Sequence, residues 1–123
     1  MEVLLDSSFI VSCVMKRIDF LEEFEKLGFK PKVPREVLQE MKDLRNGEKV
    51  SREERQSIDI ALQMLEQAKV GRANIGSGKV DDGLIAKGKE GVYIATLDRG
   101  IKMNVPNKIV IDSAKKGLRV VRD

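Results

Sequence analysis

The sequence predicts an α/β protein with a mostly parallel sheet. Apolar or β-branched runs such as residues 2–5 and 92–97 alternate with segments whose apolar residues recur at helical spacing. Because this alternation implies right-handed crossovers, we expect parallel strands with helices on both faces of the sheet. Two β-rich runs around a polar turn end the chain and predict a C-terminal β-hairpin. We therefore expect a single domain over residues 1–123, folded as a three-layer α/β/α sandwich.

The first half of the chain begins with a strand and continues mainly as helix. Residues 2–5 have the pattern of a buried strand, which is followed by a helical turn and then by a helix that Gly28 caps. Residues 30–34 are extended. Pro34 is expected in the first turn of the next helix, which breaks near Gly47.

The second half predicts two helices before its central strand. Ser51 and Glu54 form a capping-box pattern ahead of the clearest amphipathic stripe in the chain. A further helix is expected to start at Asp81 or Asp82, whose side chains can accept hydrogen bonds from the first turn. The run at 92–97 then has the pattern of a strand covered on both faces.

Composition excludes several classes of function. Charged residues make up 35% of the chain and the net charge is +3, so the surface should be densely charged and mildly favour polyanionic partners. Histidine is absent, which excludes Ser-His-Asp and Cys-His catalysis, His-zinc sites and cleavage of RNA by paired imidazoles. An enzyme of this composition must use carboxylates, lysines, hydroxyls, or a metal held by oxygen ligands.

The single cysteine and the hydropathy pattern indicate a reducing compartment. Cys13 cannot form an internal disulfide, and we expect it in the core. The longest apolar stretches are far shorter than a bilayer span, and the N-terminus begins with a strand pattern instead of a signal peptide. These features predict a cytoplasmic protein with no membrane partner.

Acidic residues follow the predicted strands at one edge of the sheet. Asp6 comes directly after the strand at 2–5, and Asp98 comes directly after the run at 92–97. Because the carboxyl ends of parallel strands lie at one edge, the two side chains should be near neighbours. Asp82 is near the start of a helix that runs antiparallel to the second strand, so it should lie at the same edge.

Glu40 supplies a fourth acid from the border of a buried helical stripe, beside Met41 and Leu44. Carboxylates crowded in a low-dielectric cleft repel one another, and without a counterion at least one would take up a proton. A hard divalent cation such as Mg²⁺ relieves this repulsion, prefers oxygen ligands and can activate water for phosphodiester hydrolysis. The pattern therefore predicts a metal-dependent phosphodiesterase site.

Four short motifs carry these acids. They are "LLDSS" with Asp6, "VPREVLQEM" with Glu40, "VDDGLIA" with Asp82, and "IATLDRGIK" with Asp98. In this order, and over essentially the whole chain, they resemble the PIN-domain family of metal-dependent ribonucleases. That family includes VapC toxins and the rRNA-processing PIN nucleases of archaea and eukaryotes.

The resemblance implies a PIN-like sandwich and a specific set of site residues. The family's acidic quartet, which holds Mg²⁺ or Mn²⁺, is matched by Asp6, Glu40, Asp82 and Asp98. Ser7 and Thr96 are at its usual hydroxyl-bearing positions. The neighbouring Asp81 leaves open which aspartate of the pair is the ligand, and Gly83 replaces an alanine that many relatives carry.

RNA, single-stranded or structured, is the substrate that the resemblance implies. The ending "IVIDSAKKGLRVV" is more similar to the hairpin of the rRNA-processing group than to a VapC toxin. A homodimer and an antitoxin or ribosomal partner are compatible with the family. The basic residues that can supply RNA phosphate contacts are Arg99, Lys102, Lys115, Lys116, Arg119 and Arg122. We therefore expect an endoribonuclease, and in the narrower interpretation one that processes rRNA.

Other interpretations stay open. A phosphotransfer domain built on aspartate lacks its second acid, because Ser8 stands where aspartyl phosphatases carry one. An RNA- or protein-binding module with a PIN-like fold and little or no turnover would share the same motifs. Each acid also has a simpler structural role, namely a strand-end turn for Asp6, a helix cap for Asp82 and a solvated surface position for Glu40.

Overall fold

The computed structural model describes residues 1–76 and 78–123. The strands in these ranges are β1 (Glu2–Leu5), β2 (Lys30–Pro34), β3 (Gly71–Ala73), β4 (Tyr93–Ala95), β5 (Asn107–Asp112) and β6 (Gly117–Arg122). The helices are α1 (Ser7–Met15), α2 (Phe20–Leu27), α3 (Arg35–Arg45), α4 (Arg52–Gln67), α5 (Val80–Lys89) and α6 (Arg99–Asn104). None of the helices in these ranges has the length and apolar character needed to cross a bilayer. The protein is thus of the α/β class that the sequence predicts.

The order in which the chain adds strands to the sheet reverses between β1 and β4. Its strand order is β3-β2-β1-β4-β5-β6, and all neighbouring pairs are parallel except the β5–β6 hairpin. The chain builds outward from β1 to β3 and then returns to the other side of β1. In open α/β sheets, the carboxyl ends of strands at such a switch point flank a ligand-binding crevice. Asp6 follows β1 and Thr96 follows β4, so both lie at this crevice.

Helices pack against both faces of the sheet. Val3 and Leu5 of β1 join a large apolar cluster with residues of α1 to α4, whereas Leu4 joins a smaller cluster with residues of α5 and α6. Ile94 of β4 belongs to the smaller cluster. Cys13 is fully buried in the larger one, as predicted, and burial raises the pKa of its thiol to about 12.

Local capping signals predict the end of α2 and the start of α4 correctly. Gly28 ends α2 in the left-handed conformation (φ 81°). The Ser51 hydroxyl accepts a hydrogen bond from the Glu54 N–H at 3.0 Å and begins α4, which confirms the capping box. The prediction for α3 is wrong by one residue, because Pro34 is its N-cap and the helix begins at Arg35.

The segment after β4 differs from the prediction. The strand expected over 92–97 ends at Ala95, and α6, which the sequence did not indicate, begins at Arg99. The Asp98 carboxylate accepts a hydrogen bond from the Ile101 N–H at 2.9 Å and caps this helix. A helix of six residues with an interior glycine has little intrinsic propensity, so the cap and the packing of Ile101 decide its formation.

The start of α5 also differs. The helix begins at Val80 after Lys79, so neither Asp81 nor Asp82 is its N-cap. Both acids lie in the first turn, where negative charge interacts favourably with the helix dipole. The predicted placement of this turn at the carboxyl edge of β4 follows from the antiparallel course of α5 and β4.

Two glycines let α5 approach the rest of the fold closely. A Cβ at Gly83 would lie 2.8 Å from the carbonyl oxygen of Ile75, and a Cβ at Gly88 would overlap the side chain of Val105. Glycine is unfavourable inside a helix, yet α5 runs through both positions to Lys89 because any side chain there would push the helix outward. The position of the first turn of α5 therefore depends on these contacts.

Candidate active site

Asp6 is a buried carboxylate at the end of β1, only 6% exposed. Its backbone N–H donates to the carbonyl oxygen of Ala95 at 3.0 Å, which ties the residue to β4. Oδ1 accepts a hydrogen bond from the Ser7 N–H at 2.9 Å, and Oδ2 accepts one from the Thr96 hydroxyl at 2.7 Å. Each oxygen of an ionised carboxylate has further lone-pair capacity, so these bonds orient Asp6 without saturating it.

Thr96 connects Asp6 to Asp98. It is fully buried, and its Oγ1 both donates to Asp6 Oδ2 and accepts from the Asp98 N–H at 3.0 Å. The hydroxyl therefore fixes the distance between the end of β1 and the start of α6. Asp98 is exposed, and its Oδ1 is occupied by the cap of α6.

Ser7 makes the equivalent connection to α3. Its hydroxyl donates to Glu40 Oε1 at 3.2 Å, while its backbone N–H donates to Asp6. Glu40 lies near the middle of α3, one residue before the fully buried Met41. This position at the border of the buried stripe agrees with the helical-wheel prediction and lets the exposed Glu40 reach the first turn of α1.

Burial and like charges raise the pKa values of two of these acids. For Asp6, burial raises the pKa above its usual value, the hydrogen bonds from Thr96 and Ser7 lower it, and the negative charges of Asp81 and Asp98 raise it again. For Glu40, burial is likewise the main cause of a raised pKa, and the Ser7 hydroxyl opposes it. The charges of Asp6 and Asp81 raise the pKa of Glu40 further.

Asp81, and not Asp82, is the member of the pair whose charge acts on both Asp6 and Glu40. The geometry of α5 explains this. With about 100° per residue, Asp81 lies on the side of the helix that carries the buried Leu84 and Gly88, whereas Asp82 lies roughly 120–160° away from them. Asp82 therefore belongs to the solvent side of the helix.

Five of the six predicted site residues form one hydrogen-bonded series, which runs through Glu40, Ser7, Asp6, Thr96 and Asp98. Asp82 takes no part in this series among the described residues. We call the four acids Asp6, Glu40, Asp81 and Asp98 the acidic rim. Over residues 1–76 and 78–123, no three acidic side chains stand in a ready-made metal-binding arrangement. The rim is thus an electrostatic grouping at the switch point of the sheet, in which the hydroxyls of Thr96 and Ser7 hold Asp6 and Glu40.

A groove of about 530 Å³ opens from the acidic rim between α1, α3 and the start of α4. Ser7 and Glu40 line the end next to the rim, and Val11, Met15 and Leu44 supply apolar surface further along. The sequence did not indicate this groove, because its walls come from three helices whose relative positions no local pattern encodes.

The chain matches no protein-family model and no curated protein. Its class is therefore defined by the fold and the site alone. It is an α/β protein whose mostly parallel sheet carries grouped carboxylates at the carboxyl ends of the two strands that flank the switch point.

Proposed function

We propose that this protein is a metal-dependent endoribonuclease whose acidic rim binds Mg²⁺ or Mn²⁺. The observation that carries the proposal is Asp6, a carboxylate only 6% exposed whose pKa is raised by burial and by the charges of Asp81 and Asp98. A buried anion among other anions is unfavourable unless a cation joins it. Within the described residues, every ion pair lies elsewhere than Asp6 and Glu40.

The donor set fits a hard divalent cation. Carboxylate and hydroxyl oxygens are the groups that Mg²⁺ and Mn²⁺ prefer, and Mg²⁺ keeps several of its waters, so it needs few direct protein ligands. When bound, such an ion supplies an activated water and stabilises the charge that develops during phosphodiester hydrolysis.

The residues of the rim have distinct proposed roles. The carboxylates of Asp6 and Glu40 hold the cation, and Asp98 contributes the oxygen that its helix cap leaves available. Thr96 and Ser7 are positioning residues, because their hydroxyls fix the orientations of Asp6 and Glu40. The fourth acid is Asp81, in preference to the predicted Asp82.

A PIN-like three-layer fold is part of the proposal. The strand order, the helices on both faces and the placement of three of the four motif acids at one edge all support it. A role in rRNA processing, an antitoxin or ribosomal partner and a homodimer depend on the family resemblance alone.

Cleavage of a labelled single-stranded RNA tests the proposal. We expect cleavage with Mg²⁺ or Mn²⁺, none in EDTA, and none with Asp6→Asn. Asp59→Asn is the matched control, because Asp59 lies on α4 in an ion pair with Arg45. This variant should cleave RNA as the wild type does. Full cleavage by Asp6→Asn would refute the proposal. Metal binding at the rim without any cleavage would instead identify an RNA- or protein-binding module.

A further inference from the structure

A second groove, of about 560 Å³, lies between α6 and one face of the β5–β6 hairpin. In the antiparallel register Lys108 pairs with Val121 and Val110 pairs with Arg119, so these four side chains share one face of the hairpin. Ile109 is buried on the opposite face, within the larger apolar cluster. The groove thus has an apolar floor, Val110 and Val121, on the hairpin face that points away from the larger apolar cluster.

Cations dominate the lining of this groove. We call it the basic groove, after Arg99, Lys102, Lys108 and Arg119. Asp123 is the single acid among its described lining residues. The groove therefore carries a net positive charge, in contrast to the acidic rim.

Three of the four cations remain available to an external anion. Lys108 is committed to the fold, because its Nζ donates to the carbonyl oxygens of Lys102 and Val105 and lies 3.8 Å from an Asp123 oxygen. Arg119 is largely exposed, and its nearest acid contact is a distant one of 4.0 Å to Asp112. In the described parts of the chain, no ion pair includes the side chain of Arg99 or Lys102.

The basic groove begins next to the acidic rim. Arg99 directly follows Asp98, and Lys102 lies one turn further along the same face of α6. Arg119 pairs with Val110, near the carboxyl end of β5, so it too lies toward the edge that carries the rim. A strand of nucleic acid that reaches the rim can therefore continue along the groove.

We propose that the basic groove binds the phosphodiester backbone of single-stranded RNA on one side of the acidic rim. This proposal rests on the endoribonuclease function and names Arg99, Lys102 and Arg119 as the phosphate-binding residues. Without a bound cation the rim repels phosphates, so the attraction that brings RNA to it must come from a separate, positively charged surface. The apolar floor and the side chain of Met103, which is 74% exposed, give sugars and bases a surface to contact.

Binding of a short labelled single-stranded RNA in EDTA, measured by fluorescence anisotropy across a range of salt concentrations, tests the groove without cleavage. The triple variant Arg99→Gln/Lys102→Gln/Arg119→Gln should weaken binding at low salt by at least about tenfold. The slope of log affinity against log salt should decrease in magnitude by roughly 2, since each phosphate contact on a single strand contributes about 0.7. Lys102→Arg, which keeps the charge, should bind as the wild type does.

A matched control removes three positive charges from the opposite edge of the sheet, with Lys26→Gln/Lys30→Gln/Lys89→Gln. These lysines lie at the end of α2, the start of β2 and the end of α5. Equal weakening by the control, unchanged binding by the groove variant, or no salt-dependent binding by the wild type would overturn the proposal. Groove-dependent binding by a wild type that never cleaves RNA would refute only the endoribonuclease function.

Discussion

Asp6 and Asp59 are two carboxylates that differ in burial, in hydrogen-bond partners and in the direction of their pKa shifts. Asp59, on α4, is exposed and forms a two-point contact with the Arg45 guanidinium, whose hydrogen bond and charge lower the pKa of Asp59. Asp6 is buried, its hydrogen bonds come from neutral groups, and its pKa is raised. The chain itself balances the charge of Asp59, whereas the charges that act on Asp6 among the described residues are those of other acids.

The comparison teaches that burial distinguishes Asp6 from the other acids, because Glu40, Asp81 and Asp98 of the rim are exposed. Twenty acidic residues are spread over this chain, and most of them are exposed. At the rim, two hydroxyls hold carboxylates in place without neutralising them. A rigid, charged and uncompensated group is typical of a functional site, because a purely structural role would favour a neutral residue there.

The largest expected effect comes from Asp6→Asn, which should lower RNA cleavage by at least about 100-fold, on the order seen when one electrostatic group is removed from an active site. In EDTA, the stability of the variant relative to the wild type should be greater at neutral pH than in strong acid. The raised pKa means that ionisation of Asp6 disfavours the folded state. Its contribution to the free energy of unfolding is therefore present at low pH and lost as pH rises through the folded-state pKa.

Urea unfolding of both proteins across the acidic range measures this difference. The difference in the free energy of unfolding between Asp6→Asn and the wild type should change in favour of the variant as pH rises. If the wild type instead gains stability relative to the variant as pH rises, then the negative charge of Asp6 is balanced within the chain, as Arg45 balances that of Asp59.

A smaller effect should separate Asp81 from Asp82. Asp81→Asn should lower cleavage by about 10–100-fold and lower the pKa of Glu40, because the Asp81 charge acts on that carboxyl. Asp82→Asn removes the same charge from the solvent side of α5 and is the matched control. NMR titration of the glutamate carboxyls, together with the cleavage assay, measures both effects. If Asp82→Asn has the larger effect on cleavage, then the ligand is the one that the family resemblance implies.

Gly83→Ala should test how the fold positions Asp81. Its Cβ would lie 2.8 Å from the Ile75 carbonyl oxygen, so α5 must shift, and we expect a loss of about 1–3 kcal/mol in the free energy of unfolding. Gly47→Ala is a control in which the new Cβ finds ordinary contact distances of 3.4 Å or more. Chemical denaturation of both variants measures the difference. Equal stability of the two variants would show that α5 tolerates a methyl group at its first turn.

The smallest effect is expected from Asp59→Asn. Because the pKa of Asp59 is lowered in the folded protein, its contribution to stability is present above the unfolded-state pKa and is lost as pH falls through the folded-state value. The variant should therefore lose a little stability at neutral pH and none in strong acid. The ion pair between Asp59 and Arg45 lies at the surface, so the loss of stability should also shrink at high salt. A loss that is insensitive to both pH and salt would mean that the ion pair is not its source.

Sequence patterns predicted the parts of this fold that local chemistry encodes. The strand before Asp6, the capping box at Ser51, the Gly28 cap and the final hairpin all follow from residues close together in the chain. The sequence patterns missed α6 because the segment has a weak intrinsic helix propensity. The helix is stabilised instead by the Asp98 cap and by tertiary packing of Ile101.

The site was predictable to the level of the sheet edge and no further. Parallel strands bring Asp6 and Thr96 together whatever surrounds them, and this follows from topology. The choice between Asp81 and Asp82 depends on how α5 is rotated about its axis, which the contact of Gly83 with Ile75 sets. The basic groove likewise depends on where α6 lies relative to the hairpin, which no local pattern encodes.

The central claim is that the acidic rim binds a divalent cation. Titration of Mn²⁺ into the metal-free protein, with binding measured by calorimetry or electron paramagnetic resonance, tests this claim most directly. We predict that the wild type and Asp59→Asn bind Mn²⁺ equally, that binding weakens as pH falls because protons compete for the carboxylates, and that Asp6→Asn abolishes binding. Undiminished Mn²⁺ binding by Asp6→Asn, or no binding by the wild type, would contradict the account.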